Sequence, residues 1–287
     1  MRSGVIAAAV AVALSFSLPA AAAGPIRIVA AENFYGDLAS EIGGSHVAVT
    51  AILSNPDEDP HLFETSPQTA RDVASADIVL YNGADYDPWM EKLLSASPKV
   101  NRTTIVAAAL TGHKSGDNPH LWYDPPTFPA VAGKVAAELE KRDPADAEAF
   151  KANLATFEAS MKPVADKVAA IKAAHAGTVV TATEPVFGYM AGALGFRMLN
   201  TDFQLAMMND TEPSPRQVAE FEQSLKSGAA KILFYNAQVT DDTATRLKAL
   251  AEASGVKVIG VTEMEPAGKT IAGWLLHQLA EIEDALK

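Results

Sequence analysis

Apolar and polar positions along this chain follow two rhythms. Short apolar runs bounded by Gly, Pro, Asn or Asp alternate with longer stretches whose apolar residues recur every three or four positions. In the front half, residues 26–30, 47–52, 77–81 and 103–107 read as strands, and 33–42, 66–74 and 87–94 read as helices. Ser66-Pro67 supplies an N-cap followed by proline at the first helical position. In the back half, 178–182, 196–199, 231–235 and 256–261 read as strands, and 186–194, 215–226, 241–254 and 271–286 as helices. Such alternation predicts an α/β protein with mainly parallel sheets. The halves are alike in architecture, with no detailed repeat of residue identity read between them.

The rhythm breaks between the halves. Residues 117–126 contain three prolines, and 128–141 are helical in pattern. Asp143-Pro144 opens a further helix, with Asp143 as its N-cap. Neither Gly nor Pro interrupts it from Ala145 to Met161. Pro163 marks a place for a kink, and the pattern continues to Ala174. Leu154, Phe157, Met161, Val164, Val168 and Ile171 recur at three- and four-residue steps. About 30 residues at 1.5 Å each span about 45 Å, more than one lobe's width. The expectation is two lobes with mainly parallel sheets joined by one long rigid helix: 24–141, the linking helix 142–174, and 175–287.

The N-terminus changes the setting. Met1-Arg2-Ser3 carries one positive charge, residues 4–18 are apolar, and Ala21-Ala22-Ala23 precede Gly24. Charged start, short apolar core and small-residue exit form a secretory signal peptide, cleaved after Ala23. The apolar run, about 15 residues, is shorter than the roughly 20 that span a bilayer. No cysteine occurs, which excludes disulfides, a lipid-attachment cysteine and thiolate metal sites. The expected location is the periplasm, free of the membrane. A net charge of −12, spread along the chain, argues against nucleic acid or anionic lipid as partner.

Of six histidines, His61 and His120 stand out. Each follows a proline, which fixes the local backbone and aims the next side chain. Each lies beyond a strand-to-helix switch, where open α/β sheets bind ligands. Glu184 follows strand 178–182, and Glu263 and Glu265 follow strand 256–261. Singly, these are a loop histidine, a helix-dipole partner and a solvated turn. Together, two imidazoles and two carboxylates neutralise a dication such as Zn²⁺, Mn²⁺ or Fe²⁺. Four protein ligands leave little room for a reactive water, which fits storage or transport better than catalysis.

Asn55-Pro56 through His61 with Thr65-Ser66-Pro67, Asn118-Pro119-His120-Leu121-Trp122-Tyr123-Asp124-Pro125, Glu184 with Phe187-Gly188-Tyr189, and Glu212-Pro213-Ser214-Pro215 follow one another along the chain. This succession resembles the cluster A-I periplasmic substrate-binding proteins of zinc/manganese ABC transporters. The resemblance implies two α/β lobes on a rigid helix, a metal site between them, and delivery to an ABC transporter permease in the inner membrane. It makes His61 and His120 the first two ligands. Glu184 takes the third position, where zinc importers carry His and manganese-type members Glu. The fourth is usually Asp. Here Glu265-Pro266-Ala267-Gly268 resembles the common Asp-Pro-x-Gly form, while closeness to the strand end favours Glu263, the preferred choice. The loop before His120 lacks the long His-rich insertion of many zinc members, leaving His113 as a solvated loop histidine. Gln238, beyond strand 231–235, is read either as an outer partner orienting a ligand or as a solvated loop residue.

Two His and two Glu suit Mn²⁺ or Fe²⁺ better than three His would, while intrinsic affinity favours Zn²⁺. Two other readings use the same residues. One is a metal-dependent hydrolase with Glu184 as general base, although the chain lacks His-Glu-x-x-His and Gly-x-Ser-x-Gly. The other is a soluble metallochaperone. A monomer is expected, and no catalytic residue is assigned.

Overall fold

Residues 24–57, 60–209, 211–238 and 242–287 are described by a computed structural model. The expected leader at 1–23 and the side chain of His61 lie outside the described residues. The front half runs β1 (Ile26–Glu32), α1 (Asn33–Gly43), β2 (Val47–Leu53), α2 (Pro67–Ser75), β3 (Ile78–Tyr81), α3 (Pro88–Ala96), β4 (Thr103–Val106), α4 (Ala107–Thr111) and α5 (Thr127–Arg142). The long helix α6 (Ala147–His175) follows. The back half runs β5 (Val179–Ala182), α7 (Gly188–Ala193), β6 (Arg197–Met198), α8 (Thr201–Met208), α9 (Pro215–Lys226), β7 (Ile232–Asn236), α10 (Asp242–Ala253), β8 (Lys257–Val261) and α11 (Ile271–Ala285).

Each half builds a four-stranded sheet, ordered β2-β1-β3-β4 and β6-β5-β7-β8, with every pairing parallel. The inner strands β3 and β7 are buried along their whole length, as parallel strands covered on both faces must be. In each sheet the strand order reverses beside the first strand, between β1 and β3 and between β5 and β7. A crevice opens beyond the carboxyl ends at such a point.

The two sheets also share residue identity that the sequence reading missed. Ile78-Val79-Leu80-Tyr81-Asn82 and Ile232-Leu233-Phe234-Tyr235-Asn236 occupy equivalent strands and end on equivalent asparagines, both buried. The match escaped notice because only the first and the last two positions are identical.

The spine starts and runs differently from its sequence pattern. Asp143 makes no side-chain cap; α6 begins at Ala147, after a 3-10 turn at Pro144–Asp146. The carboxylates of Asp143 and Asp146 instead approach His46 Nδ1, at 4.0 and 3.1 Å. The helix passes through Pro163 unbroken. Pro163 is exposed, so the carbonyl it leaves unpaired can face water. Phe150, Phe157, Val164 and Ile171, seven residues apart, form its buried stripe, with Leu154, Met161 and Val168 partly buried beside them. At 29 residues the helix is about 43 Å long. Asn153 Nδ2 ties it to the Ile42 carbonyl of α1 at 2.9 Å, and Lys167 pairs with Glu283 of α11.

Two short helices, α4 and α8, were not read from the pattern, and β6 is two residues long rather than four. In α8 only Phe203 and Gln204 are buried, too few to give a period.

An aromatic cluster joins the halves. Phe34 and Tyr123 of the front half pack on Trp274 at 6.1 and 5.5 Å, and Tyr123 packs on Phe187 at 4.8 Å. Phe187 in turn packs on Phe234 at 4.7 Å. No helix among the described residues is long and apolar enough to cross a membrane.

Asp77, at the head of β3, supports one prediction. Partial burial opposes its charge, but hydrogen bonds from Lys99 and from the backbone and side chain of Arg27 outweigh that and hold its pKa at about 2. A depressed carboxylate contributes stability above its unfolded pKa and loses it as pH falls through the folded value. Asp77→Asn is therefore expected to cost about 1–2 kcal/mol at pH 7, the side chain being partly solvated, with the difference vanishing between about pH 4 and 2. Urea denaturation of both proteins across that range checks it.

Candidate metal centre

The loops beyond the strand ends converge on the crevice between the halves. His120 follows the Pro-rich loop after α4 and is fully buried. Asn118 determines its tautomer. Asn118 Nδ2 donates to the Pro185 carbonyl at 2.8 Å, which can only accept, so Oδ1 must face the other way. Oδ1 then accepts from the His120 backbone at 3.2 Å and from Nδ1–H at 2.6 Å. In the neutral ring Nε2 then carries its lone pair toward the crevice, where it has no hydrogen-bond partner among the described residues. A Cβ on Gly188 would lie 3.0 Å from Asn118 Nδ2, so a larger residue would press on this close approach between the halves. The Pro119 carbonyl is held by Asn82 Nδ2 at 2.7 Å, fixing the loop from beneath.

Glu263, just beyond β8, is fully buried and faces His120, with Oε2 3.7 Å from Nε2. Tyr86 OH donates to the same oxygen at 2.9 Å, and Asn236 Nδ2 donates to Oε1 at 2.7 Å. Glu184 is 4 % exposed and makes no cap to the helical turn it opens; its Oε2 accepts from Asn236 Nδ2 at 3.3 Å. The structure thus brings His120 and Glu263 face to face and links Glu184 to them through Asn236. The backbone of His61 lies in the 3-10 turn Pro60–Leu62 after β2. Gln238 spans the gap to that loop: Nε2 donates to the Pro56 carbonyl at 2.8 Å, and Oε1 accepts from the Glu263 and Met264 backbones.

Glu265 turns away. Asn33 of α1 clasps its backbone from both sides, at 2.8 and 3.1 Å. Its carboxyl is buried without a hydrogen-bond partner. Burial, with the charges of Asp37 and Glu41 added, pushes its pKa up to about 8. His113 is not the solvated residue its loop suggested. Its Nε2 lies 3.2 Å from Asp124 Oδ2 and its Nδ1 3.3 Å from Tyr189 OH.

Sequence reasoning missed Tyr86. It follows three consecutive residues in the left-handed region, Gly83, Ala84 and Asp85, with φ of 77°, 52° and 65°. Two of them are non-glycine, and strain of this kind persists only where the surroundings over-determine it. Here the Asp87 carboxylate accepts from the Asn82 and Gly83 N–H groups at 2.6 and 2.8 Å, and Asp85 accepts from Ser115 and Gly116. The tight turn throws Tyr86 across the crevice. Burial and then the charge of Glu263 raise its hydroxyl well above the usual range, so it stays a donor.

Beneath Tyr86 sits an acid pair. Glu32 ends β1 fully buried, with no hydrogen-bond partner at either carboxyl oxygen, and the buried carboxyl of Asp87 is its charged neighbour. Burial and then Asp87 raise Glu32 well above the usual range, and burial pushes Asp87 up to about 6. Groups raised on folding bind more protons folded than unfolded, so their contribution is lost as pH climbs through the folded values. Glu32→Gln keeps a donor toward Asp87 and removes that loss. It is expected to gain about 1–2 kcal/mol at pH 8 and little at pH 4, read from thermal melts at the two pH values.

Two parallel α/β halves facing across a crevice, carried on one long helix and lined by imidazole and carboxylate, define a two-lobed substrate-binding architecture. Residues 28–285 match the ZnuA family, zinc-uptake complex component A, periplasmic, and the chain belongs to that family. It is 25% identical over 280 residues to the manganese-binding lipoprotein MntA of Bacillus subtilis (strain 168), covering 91% of this chain and 90% of that protein. It is likewise 25% identical over 260 residues to the iron-binding protein YfeA of Yersinia pestis, covering 87% and 80%. The fold is similar to that of the periplasmic zinc-binding protein TroA from Treponema pallidum, with a TM-score of 0.77 at 20% identity, covering 92% of this chain and 99% of that one.

Proposed function

We propose that this protein captures a divalent cation, Zn²⁺ or Mn²⁺, between its lobes and hands it to an ABC-type permease in the inner membrane. The proposed ligands are His61, His120, Glu184 and Glu263. The carrying observation is the facing pair of His120 Nε2 and Glu263 Oε2, both buried and 3.7 Å apart, the imidazole oriented by its acceptor Asn118 and the carboxylate by its donor Tyr86. With the imidazole neutral, as a metal ligand must be, the two atoms cannot hydrogen-bond to each other, but both can give lone pairs to one cation. Ligands about 2.1 Å from a shared tetrahedral ion sit roughly 3.4 Å apart, close to this spacing. The relatives' names, covering manganese, iron and zinc, support a divalent cargo.

Ligands drawn from a front lobe (24–141) and a rear lobe (175–287) let the ion itself close the crevice. A permease that parts the lobes across the linking helix (142–174) separates imidazoles from carboxylates and frees the ion. The protein acts as a monomer, free of the membrane after cleavage at Ala23, and performs no turnover. Calorimetry of metal-stripped protein against Zn²⁺ and Mn²⁺ tests the capture step. One ion bound per chain is expected, and uptake of neither metal rejects the reading. Stimulation of the permease's ATPase by loaded but not stripped protein tests delivery.

A further inference from the structure

Asn236 stands at the carboxyl end of β7, 1 % exposed, between the two glutamates. The two hydrogens of its amide go to different carboxylates, Glu263 Oε1 at 2.7 Å and Glu184 Oε2 at 3.3 Å. Its Oδ1 accepts from the Gln238 backbone at 3.2 Å, and its own N–H donates to Thr183 Oγ1 at 3.2 Å. The amide therefore has one orientation; turned over, it would aim an oxygen at two carboxylates. A carboxylate binds a cation through one oxygen or through both, and binding through both needs the two oxygens equally near the ion. Asn236 draws Glu263 Oε1 toward the end of β7, while Oε2, which Tyr86 also holds, stays 3.7 Å from His120 Nε2.

We propose that Asn236 is a positioning residue that restricts Glu184 and Glu263 to one donor oxygen each, and that this restriction sets the preference of the site for Zn²⁺ over Mn²⁺. The inference rests on the ligand set proposed above. Two imidazoles and two single oxygens make four donors, the number that satisfies Zn²⁺. Release of the second oxygen of each glutamate raises the count to six and adds hard donors, the environment that favours Mn²⁺.

The test compares the metal-stripped parent with Asn236→Ala and Asn236→Leu, the second conserving side-chain volume, after melting curves establish which variants are folded. Zn²⁺ and Mn²⁺ affinities come from competition titration, and the donor number around bound Zn²⁺ from X-ray absorption. In the variants Zn²⁺ binding weakens about tenfold, Mn²⁺ binding changes less, and the mean donor number rises above four. Tyr86→Phe removes a different donor and lowers both affinities without altering their ratio. Equal weakening of both metals in the Asn236 variants, or an unchanged donor number, overturns this role alone. A parent that binds neither metal overturns the ligand set and this role together.

Discussion

Replacing His120 with alanine is expected to weaken Zn²⁺ binding by about a hundredfold or more, with the fold retained. Loss of groups that merely orient a ligand costs about ten- to a hundredfold, so loss of a ligand sits at or beyond the upper end. The effect is large because the other candidates among the described residues are engaged elsewhere. Glu265 is clasped toward α1 and His113 is engaged by Asp124 and Tyr189. The His61→Ala, His120→Ala double variant, with both imidazoles gone, is expected to lose measurable binding. Asn118→Ala leaves every proposed ligand in place but frees the His120 tautomer, so about tenfold is expected there. Calorimetry or competition with a chromophoric chelator reads all three, and a double variant binding like the parent would exclude these histidines as ligands.

Trp122→Ala carries the largest expected cost in stability, about 3–5 kcal/mol. The side chain is 1 % exposed and packs against Phe34 at 5.1 Å, Tyr86 at 4.9 Å and His120 at 5.3 Å. For a chain of this size that loss lowers Tm by about 10 °C. The same rings support a proposed ligand and the donor to Glu263, so Zn²⁺ affinity falls with stability. Trp122→Phe keeps part of the wall and is expected to recover more than half of both losses. Melting curves with and without Zn²⁺ separate the two effects.

The fold was legible because strand-to-helix alternation depends on local pattern, and both halves keep it. The exceptions are elements without a pattern: the two-residue β6, and α8 with its two buried side chains. The capping box at Ser66 is local and readable, since Ser66 and Thr69 reciprocate within four residues. Asp143 shows the opposite case: a residue of the right type before a proline is drawn to His46, almost a hundred positions earlier. The candidate site was legible as four loops beyond four strand ends. The choice between Glu263 and Glu265, and the part of Tyr86, were not, because a partner distant in sequence decides each. Asn33 clasps the Glu265 backbone to α1 from a position 232 residues away, and Tyr86 reaches Glu263 only through the left-handed turn before it. Asn236 left a faint trace, the Tyr-Asn ending shared by 78–82 and 232–236.

Zinc-edge anomalous diffraction from crystals of the loaded protein tests the central claim most directly. One strong peak is expected between His120 Nε2 and Glu263 Oε2, within bonding distance of both and of His61 and Glu184. A crevice without density, with the ion instead at the half-buried cluster of His46, Asp143 and Asp146, would contradict it.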